Sequence, residues 1–274
     1  MIYKSIQPSL HLQGFVKDYL LFHFEFDNNS PMSVKPFPAN THHSLVFYLR
    51  GCVTAFDPST GASKVYPKTS INGSQISRLD FHLSPHYLMF SVNFQPSGLT
   101  KFLNLPLTEF VDERIDAEAI LNPGIHQLHE QMANASSYAS MVQMVEMYLW
   151  KRIQNLKTDY HPIEKVAQII AAQPGKFDVK KLANFACLSI SQFERKFMQQ
   201  MGITPKFYAR INRFYQAYQI KDSNPTADWL SIALETGYYD YQHLVKDFKQ
   251  FSATSPHSLL EAQAKAPERI LGFA

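Results

Sequence analysis

Over roughly the first 110 positions, apolar residues alternate with polar ones or form short runs between turn residues, the pattern of β-strands. Such runs lie at 19–26, 44–49, 81–83 and 87–94. Turn chemistry separates them at Asp27-Asn28-Asn29-Ser30-Pro31, at Asp57-Pro58-Ser59-Thr60-Gly61 and at Gln95-Pro96-Ser97-Gly98. Residues 10–16 fit a short helix or a strand equally well. Many short strands with Pro/Gly punctuation predict a sandwich or small barrel.

After about Leu99 the period becomes helical. A short helix is expected at 99–103, then longer ones at Gly124–Ala133 and 137–154. The last places Met141, Met144, Val145, Tyr148 and Leu149 on one apolar face. That face suits a dimer contact or packing on the chain's own barrel. Residues 156–161 form a polar break, so the sequence divides near 157 into 1–157, β-rich with trailing helices, and 158–274, all helix. The whole is an α+β chain.

In the second part, Pro162 opens a helix that Gln173-Pro174-Gly175 stops. Asp178 caps the next, Ser189 or Ser191 the third, and Thr204-Pro205 opens the fourth. Thr226 or Asp228 caps the fifth, a sixth is expected at 238–251, and Ser255-Pro256 opens a seventh.

This half repeats itself. Leu182-Ala183 aligns with Ile232-Ala233 at an offset of 50. A short turn follows each, then a second helix ending in Phe, at Phe197 and Phe248, with a Pro eight positions on, Pro205 and Pro256. The small Ala183 and Ala233 permit the close helix crossing of a helix-turn-helix. Gly237 suits a left-handed turn, whereas the first unit passes through Cys187-Leu188-Ser189 without a glycine. Phe193 with Phe197, and Leu244 with Phe248, anchor each second helix inward. Ile190, Ser191, Gln192, Glu194 and Arg195 then point outward from one unit, and Tyr241, Gln242, Val245, Lys246 and Lys249 from the other. Such side chains can read base edges and touch phosphate. A plain bundle with polar outer faces would account for one such pair. Two in tandem at matched spacing point to DNA.

At these residues the chain resembles the AraC/XylS family of transcription regulators, over about residues 160–262. The resemblance rests on Leu182-Ala183, Ser189, Phe193-x-Arg195-x-Phe197, Gly202-x-Thr204-Pro205, Tyr208, Arg213-Phe214, Ala217, Ile232-Ala233, Gly237-Tyr238, Leu244-x-Lys246-x-Phe248 and Ser255-Pro256. It implies two units joined by a long helix, here 205–220, whose recognition helices enter adjacent major-groove segments about one helical turn, ~34 Å, apart. Three positions depart from the family pattern: Tyr238 for Phe, Lys246 for Arg, which loses the bidentate fork, and Ala253 for Gly, which is strained if φ is positive there. Upstream, Val92-Asn-Phe94-Gln-Pro96-x-Gly98-Leu99, Phe102-Leu103, Pro106 and Val111-Asp112 resemble a poorly characterised sensor-like region. The family precedent is a cupin-like barrel that binds a small effector, followed by dimerising helices. The resemblance therefore implies double-stranded DNA as partner, a small-molecule effector, a homodimer, and RNA polymerase for an activator. It implies no cofactor.

Composition narrows the rest. With 45% hydrophobic and 18% charged residues, the 274-residue chain reads as globular. The net +3 arises entirely after residue 157, where 14 Lys+Arg face 11 Asp+Glu, against 12 and 12 before it. That bias lends only modest support to nucleic-acid binding. Two cysteines, Cys52 and Cys187, preclude a disulfide framework and suit a reducing cytoplasm. Neither a signal peptide nor a run of ~20 apolar residues is recognisable, so no membrane role is expected.

The competing enzyme reading is a cupin-type metalloenzyme with a helical appendage, drawing on His23, His42, His43, His82 and His86. Adjacent His42 and His43 point to opposite faces of a strand, and only Asp80 lies near His82 and His86, so no metal is expected. Ser44, Ser74 and Ser84 lack a nucleophile-elbow context, and no Gly-rich phosphate loop occurs. A DNA-repair alkyltransferase needs an activated cysteine near His, which neither Cys52, read as a packed core thiol, nor Cys187 offers. Phe37, Phe47, Tyr48, Phe56, Phe81, Tyr87, Phe90 and Phe94 could line an effector pocket, or form the barrel core.

Overall fold

Alternating strands and capped helices assemble into two packed regions. In this computed structural model the described residues are 1–27, 33–121, 124–154, 156 and 162–273. The expected boundary at 157, and most of the turn at 27–31, lie outside them. Strands β1 (Ile2–Ile6), β2 (Val16–Glu25), β3 (Ser33–Phe37), β4 (Ser44–Arg50), β5 (Val53–Phe56), β6 (Ser63–Val65), β7 (Thr69–Asn72), β8 (Leu79–Leu83), β9 (His86–Phe94) and β10 (Arg114–Asp116) form two antiparallel sheets. The larger has the order β1-β2-β9-β4-β7-β10, the smaller β3-β8-β5-β6. The 10–16 segment resolves into a 3-10 turn at Leu10–Leu12 followed by the start of β2.

The period of two gives the six-stranded sheet two different faces. Tyr19, Leu21, Leu45, Phe47, Ile71, Phe90 and Val92 point outward. There they meet α1 (Gly98–Leu103), α2 (Ala117–Leu121), α3 (Gly124–Ala133) and α4 (Tyr138–Ile153). The apolar face of α4, with Met141, Val145 and Leu149 buried, therefore packs on its own sheet. The other sheet face turns toward the smaller sheet, where Phe22, Phe24, Val46, Tyr48, Leu83 and Tyr87 form a second cluster.

Cys52 departs from expectation. It is exposed, beyond Gly51 (φ +72) in the turn between β4 and β5, with its Sγ 3.3 Å from the Ser84 hydroxyl. The turn passes from a strand of one sheet to a strand of the other and leaves its residues outside both sheet faces.

The remaining helices are α5 (Pro162–Ala172), α6 (Val179–Phe185), α7 (Ile190–Met201), α8 (Pro205–Ser223), α9 (Trp229–Glu235), α10 (Tyr241–Ser252), α11 (Pro256–Gln263) and α12 (Pro267–Ile270). They share one core around Phe193, Phe197, Phe214, Phe248 and Phe251, all fully buried. Ala39 from the β-rich region lies in that same core, with Ile76 and Val111 packed against it. The helix expected at 238–251 starts only at Tyr241, because Gly237 to Asp240 form the turn and cap before it.

Candidate nucleic-acid interface

The two repeated units close the same way, atom by atom. In the first, Leu188 N–H donates to Ala183 C=O at 3.0 Å and Cys187 N–H to Asn184 C=O at 3.0 Å. In the second, Tyr238 N–H donates to Ala233 C=O at 2.8 Å and Gly237 N–H to Leu234 C=O at 3.1 Å. This pair of bonds requires a left-handed residue after the helix, and Cys187 (φ +55) and Gly237 (φ +84) both supply it. Cys187 is exposed and has room for its side chain. Gly237 has none, since a Cβ there would sit 2.6 Å from Gly175 Cα.

Side-chain caps start both α7 and α10. Ser189 accepts from Gln192 N–H, and the Gln192 side chain accepts from Ser189 N–H at 3.2 Å, a capping box. Asp240 accepts from His243 N–H at 2.7 Å. Upstream, Asp178 caps α6 and Asp228 caps α9. The caps left open between Ser189 and Ser191, and between Thr226 and Asp228, are thus Ser189 and Asp228.

Of the expected contact residues, α7 exposes Ile190, Ser191, Gln192, Glu194 and Arg195, and α10 exposes Tyr241, Gln242, Lys246 and Lys249. Val245 is half-buried. The oxygen of the Gln192 side chain is occupied by its cap, which leaves the amide NH₂ for an outside acceptor. Phe193, Phe197, Leu244 and Phe248 are fully buried on the opposite faces.

Sequence reasoning missed Asp247. It lies on α10 only 1% exposed and receives three donors: Arg210 Nη2 at 2.6 Å, Arg213 Nη2 at 3.0 Å and Tyr238 Oη at 3.1 Å. Arg213 also stacks over the Tyr238 ring, 4.2 Å from its centroid. The cluster fastens the second recognition helix to α8. Burial, then the neighbouring Asp247 carboxylate, push the Tyr238 phenol well above its ordinary range. The sequence signal was an acidic residue between Leu244 and Phe248, with two arginines three apart on the linker helix.

A second missed feature lies at the far ends of these helices. The last four carbonyls of an α-helix have no partner within it. On α7, Met198 C=O receives Gly202 N–H at 2.8 Å. The β-rich region satisfies the other three: Leu107 N–H to Gln199 C=O at 2.8 Å, Thr100 Oγ1 to Gln200 C=O at 2.7 Å and Ser74 Oγ to Met201 C=O at 3.0 Å. On α10, Ala39 N–H donates to Phe251 C=O at 2.9 Å and Arg78 Nη1 to Ser252 C=O at 3.4 Å. Both α7 and α10 are therefore capped at their C-termini by the N-terminal half of the chain. The outward faces of α7 and α10 stay clear of that contact.

Among the described residues, no group of three or more His, Cys, Asp or Glu is placed to hold a metal ion. The histidines the metalloenzyme reading needs are dispersed: His23 Nδ1 meets Tyr138 Oη at 2.6 Å, and His43 Nε2 meets Ser74 Oγ at 3.1 Å.

Comparison with known proteins accords with this geometry. Residues 4–116 match a domain of unknown function, DUF6597. The chain is 24% identical over 161 residues to the arabinose operon regulatory protein of Escherichia coli, covering 54% of each. It is 34% identical over 89 residues to an uncharacterized HTH-type transcriptional regulator of Haemophilus influenzae, covering 32% of this chain and 29% of that one. These relatives are transcription regulators, the class that the AraC/XylS resemblance implies. The chain spans about half or less of the length of these curated relatives. A solved structure of ToxT from Vibrio cholerae shares the fold of this chain, at TM-score 0.50 and 11% identity over 89% of this chain and 98% of that one. No described helix is long and apolar enough to cross a membrane.

Proposed function

We propose that the protein is a transcription regulator that binds double-stranded DNA at a bipartite major-groove site, one block read by α7 and the other by α10. The observation that carries this reading is the atomic equivalence of the two units, each presenting a capped helix with a polar outer face. Arg195 and Lys246 hold the same place on the two helices, within one position of the 50-residue offset. Lys249 adds a phosphate contact, and Ser191, Gln192, Tyr241 and Gln242 reach base edges. Ile190 and Val245 offer apolar contact to thymine methyls, and Glu194 can accept from cytosine.

In this reading residues 1–157 are a sensor and dimerisation domain and residues 158–274 the DNA-binding domain, acting in the cytoplasm. A small effector gates the reading heads from a cavity of about 430 Å³ between the sheets and the C-terminal helices. One ToxT structure of this fold carries (E)-4-(8-methylnaphthalen-1-yl)but-3-enoic acid. Met147 and Trp150, exposed on the outer face of α4, support a homodimer contact. An activator of this kind would also meet RNA polymerase.

Selection of bound sequences from random duplex DNA at fixed salt tests the proposal. Two enriched blocks one helical turn apart are expected, with the first block lost in Arg195→Ala and the second in Lys246→Ala. Enrichment of no sequence would overturn it.

A further inference from the structure

Gly175 and Gly237 touch backbone to backbone. A Cβ on Gly175 would lie 2.8 Å from Thr236 C=O and 2.9 Å from Gly237 Cα, and one on Gly237 would lie 2.6 Å from Gly175 Cα. Carbon atoms in ordinary contact lie about 3.5–4.0 Å apart, so only a pair of glycines fits here. Gly175 sits in the 3-10 turn Pro174–Lys176 between α5 and α6, and thus leads into the first helix-turn-helix unit. Gly237 lies in the turn of the second unit, just before the Asp240 cap of α10. The contact therefore joins one unit to the other.

It is a second junction. The first is α8, whose Tyr208 ring meets Phe197 of α7 with centroids 5.3 Å apart and whose Phe214 ring meets Phe248 of α10 at 4.8 Å. Rings can change rotamer and repack. A backbone-to-backbone contact has no side chain that can give way.

Neither partner can yield within its own unit. In the second, Thr236 N–H donates to Ile232 C=O at 3.0 Å and the Thr236 hydroxyl to the same oxygen at 2.7 Å. The bonds of Gly237 and Tyr238 N–H back to α9 close the rest of that turn. In the first, Gln173 N–H donates to Ile169 C=O and Lys176 N–H to Gln173 C=O, both at 3.1 Å. Pro174 is buried, and Asp178 caps α6. A group inserted between the glycines must therefore move one unit against the other.

We infer that the Gly175–Gly237 contact is a stop that sets the angle between α7 and α10, and with it the spacing of the two DNA blocks they read. Gly175 is a positioning residue, acting through the turn that carries α10. This deepens, and rests on, the bipartite reading above. Two linked reading heads gain over one only where both engage at once, so the stop matters for two blocks and not for one.

The test uses the full chain and a duplex library in which the gap between the two blocks varies. The wild type is expected to favour one gap. Gly175→Ala and Gly175→Val wedge the units apart by increasing amounts. Each should bind a duplex holding the first block alone as the wild type does. Each should bind the two-block duplex about tenfold more weakly, the effect of one misread base pair, and select a shifted or broader gap. Equal weakening on both duplexes with the gap unchanged would mark general damage and overturn the inference, as would unchanged two-block binding. Circular dichroism checks folding. If both variants lose helix, spin labels on the exposed Cys187 and on Tyr239→Cys, in a Cys52→Ser background, report the distance between the two turns without DNA. A single narrow distance is expected, and a broad distribution would overturn the stop. A wild type that enriches no pair of blocks would overturn the bipartite reading and this inference with it. Two blocks in the wild type with the same gap in both variants would overturn this inference alone.

Discussion

The hydroxyl of Thr100, in the first helix after the barrel, donates to the backbone carbonyl of Gln200 in the last turn of α7 at 2.7 Å. With Leu107 and Ser74 it completes a set of three donors from one region that cap a helix of the other. The consequence is mechanical: a shift of the β-rich region pulls on the C-terminal end of α7. Thr100→Val keeps the shape and removes the donor. Loss of about 1–2 kcal/mol of stability is expected, the cost of one buried carbonyl left unsatisfied. Affinity for the selected duplex should fall as well, although Thr100 touches α7 at its C-terminal end, away from Ile190 to Arg195. An unchanged melting temperature and duplex affinity would show that the contact transmits nothing.

Gly202 and Ala253 end α7 and α10 in the same left-handed conformation, at φ +82 and +54. Ala253 carries the steric cost that Gly avoids. Ala253→Gly should therefore raise stability by about 0.5–1 kcal/mol, net of the added freedom of the unfolded chain. Gly202→Ala should cost more than that gain. It adds the same strain, and its Cβ would meet Leu107 C=O at 2.8 Å and Val111 Cγ2 at 2.9 Å. Denaturant unfolding of both variants checks the sign of each effect.

Asp247 is buried with two arginines and a tyrosine as partners. Removing one member of such a set leaves uncompensated buried charge, which costs about 3–5 kcal/mol. Asp247→Ala should lower stability by that order. Tyr238→Phe, which removes only the phenol hydroxyl, should cost only about 1 kcal/mol, since both arginines remain in place. If Asp247→Ala melted as the wild type does, the cluster would not be what holds α10 to α8.

The helical half was legible because its signals are local. Asp178, Ser189, Thr204, Asp228 and Ser255 all cap the helices they precede, and a cap and its helix lie within four residues of each other. Half the barrel was not. Strand β10 reads Arg114-Ile115-Asp116 and is a strand only because β7 lies beside it. Strand β3 contains Pro36, which argues against a strand except at a sheet edge, and β3 is an edge. The Asp247 cluster joins residues 34 and 37 apart in sequence. The carboxyl-end caps use backbone N–H groups of Ala39 and Leu107, which no side-chain pattern announces. That the expected contact residues on α7 and α10, Val245 apart, are exposed followed from period alone.

His43 ties acid stability to the same contact. Ser74 Oγ gives its proton to Met201 C=O at 3.0 Å, so the imidazole Nε2, 3.1 Å from that oxygen, must itself donate. Burial pushes His43 down to about 4, against about 6.5 in an unfolded chain. As pH falls, the unfolded chain therefore takes up its proton first. The stability this group contributes is complete above pH ~6.5, declines between ~6.5 and ~4, and is lost below. A gap of about 2.5 units corresponds to something on the order of 3 kcal/mol. Urea unfolding across that range, compared with His43→Gln, isolates the effect from the carboxylates that also titrate. The variant should be less stable near pH 7 and should lose less than the wild type between pH 6.5 and 4. Parallel curves for the two proteins would mean that His43 is hydrated in the folded state and that the contact with α7 does not depend on its charge.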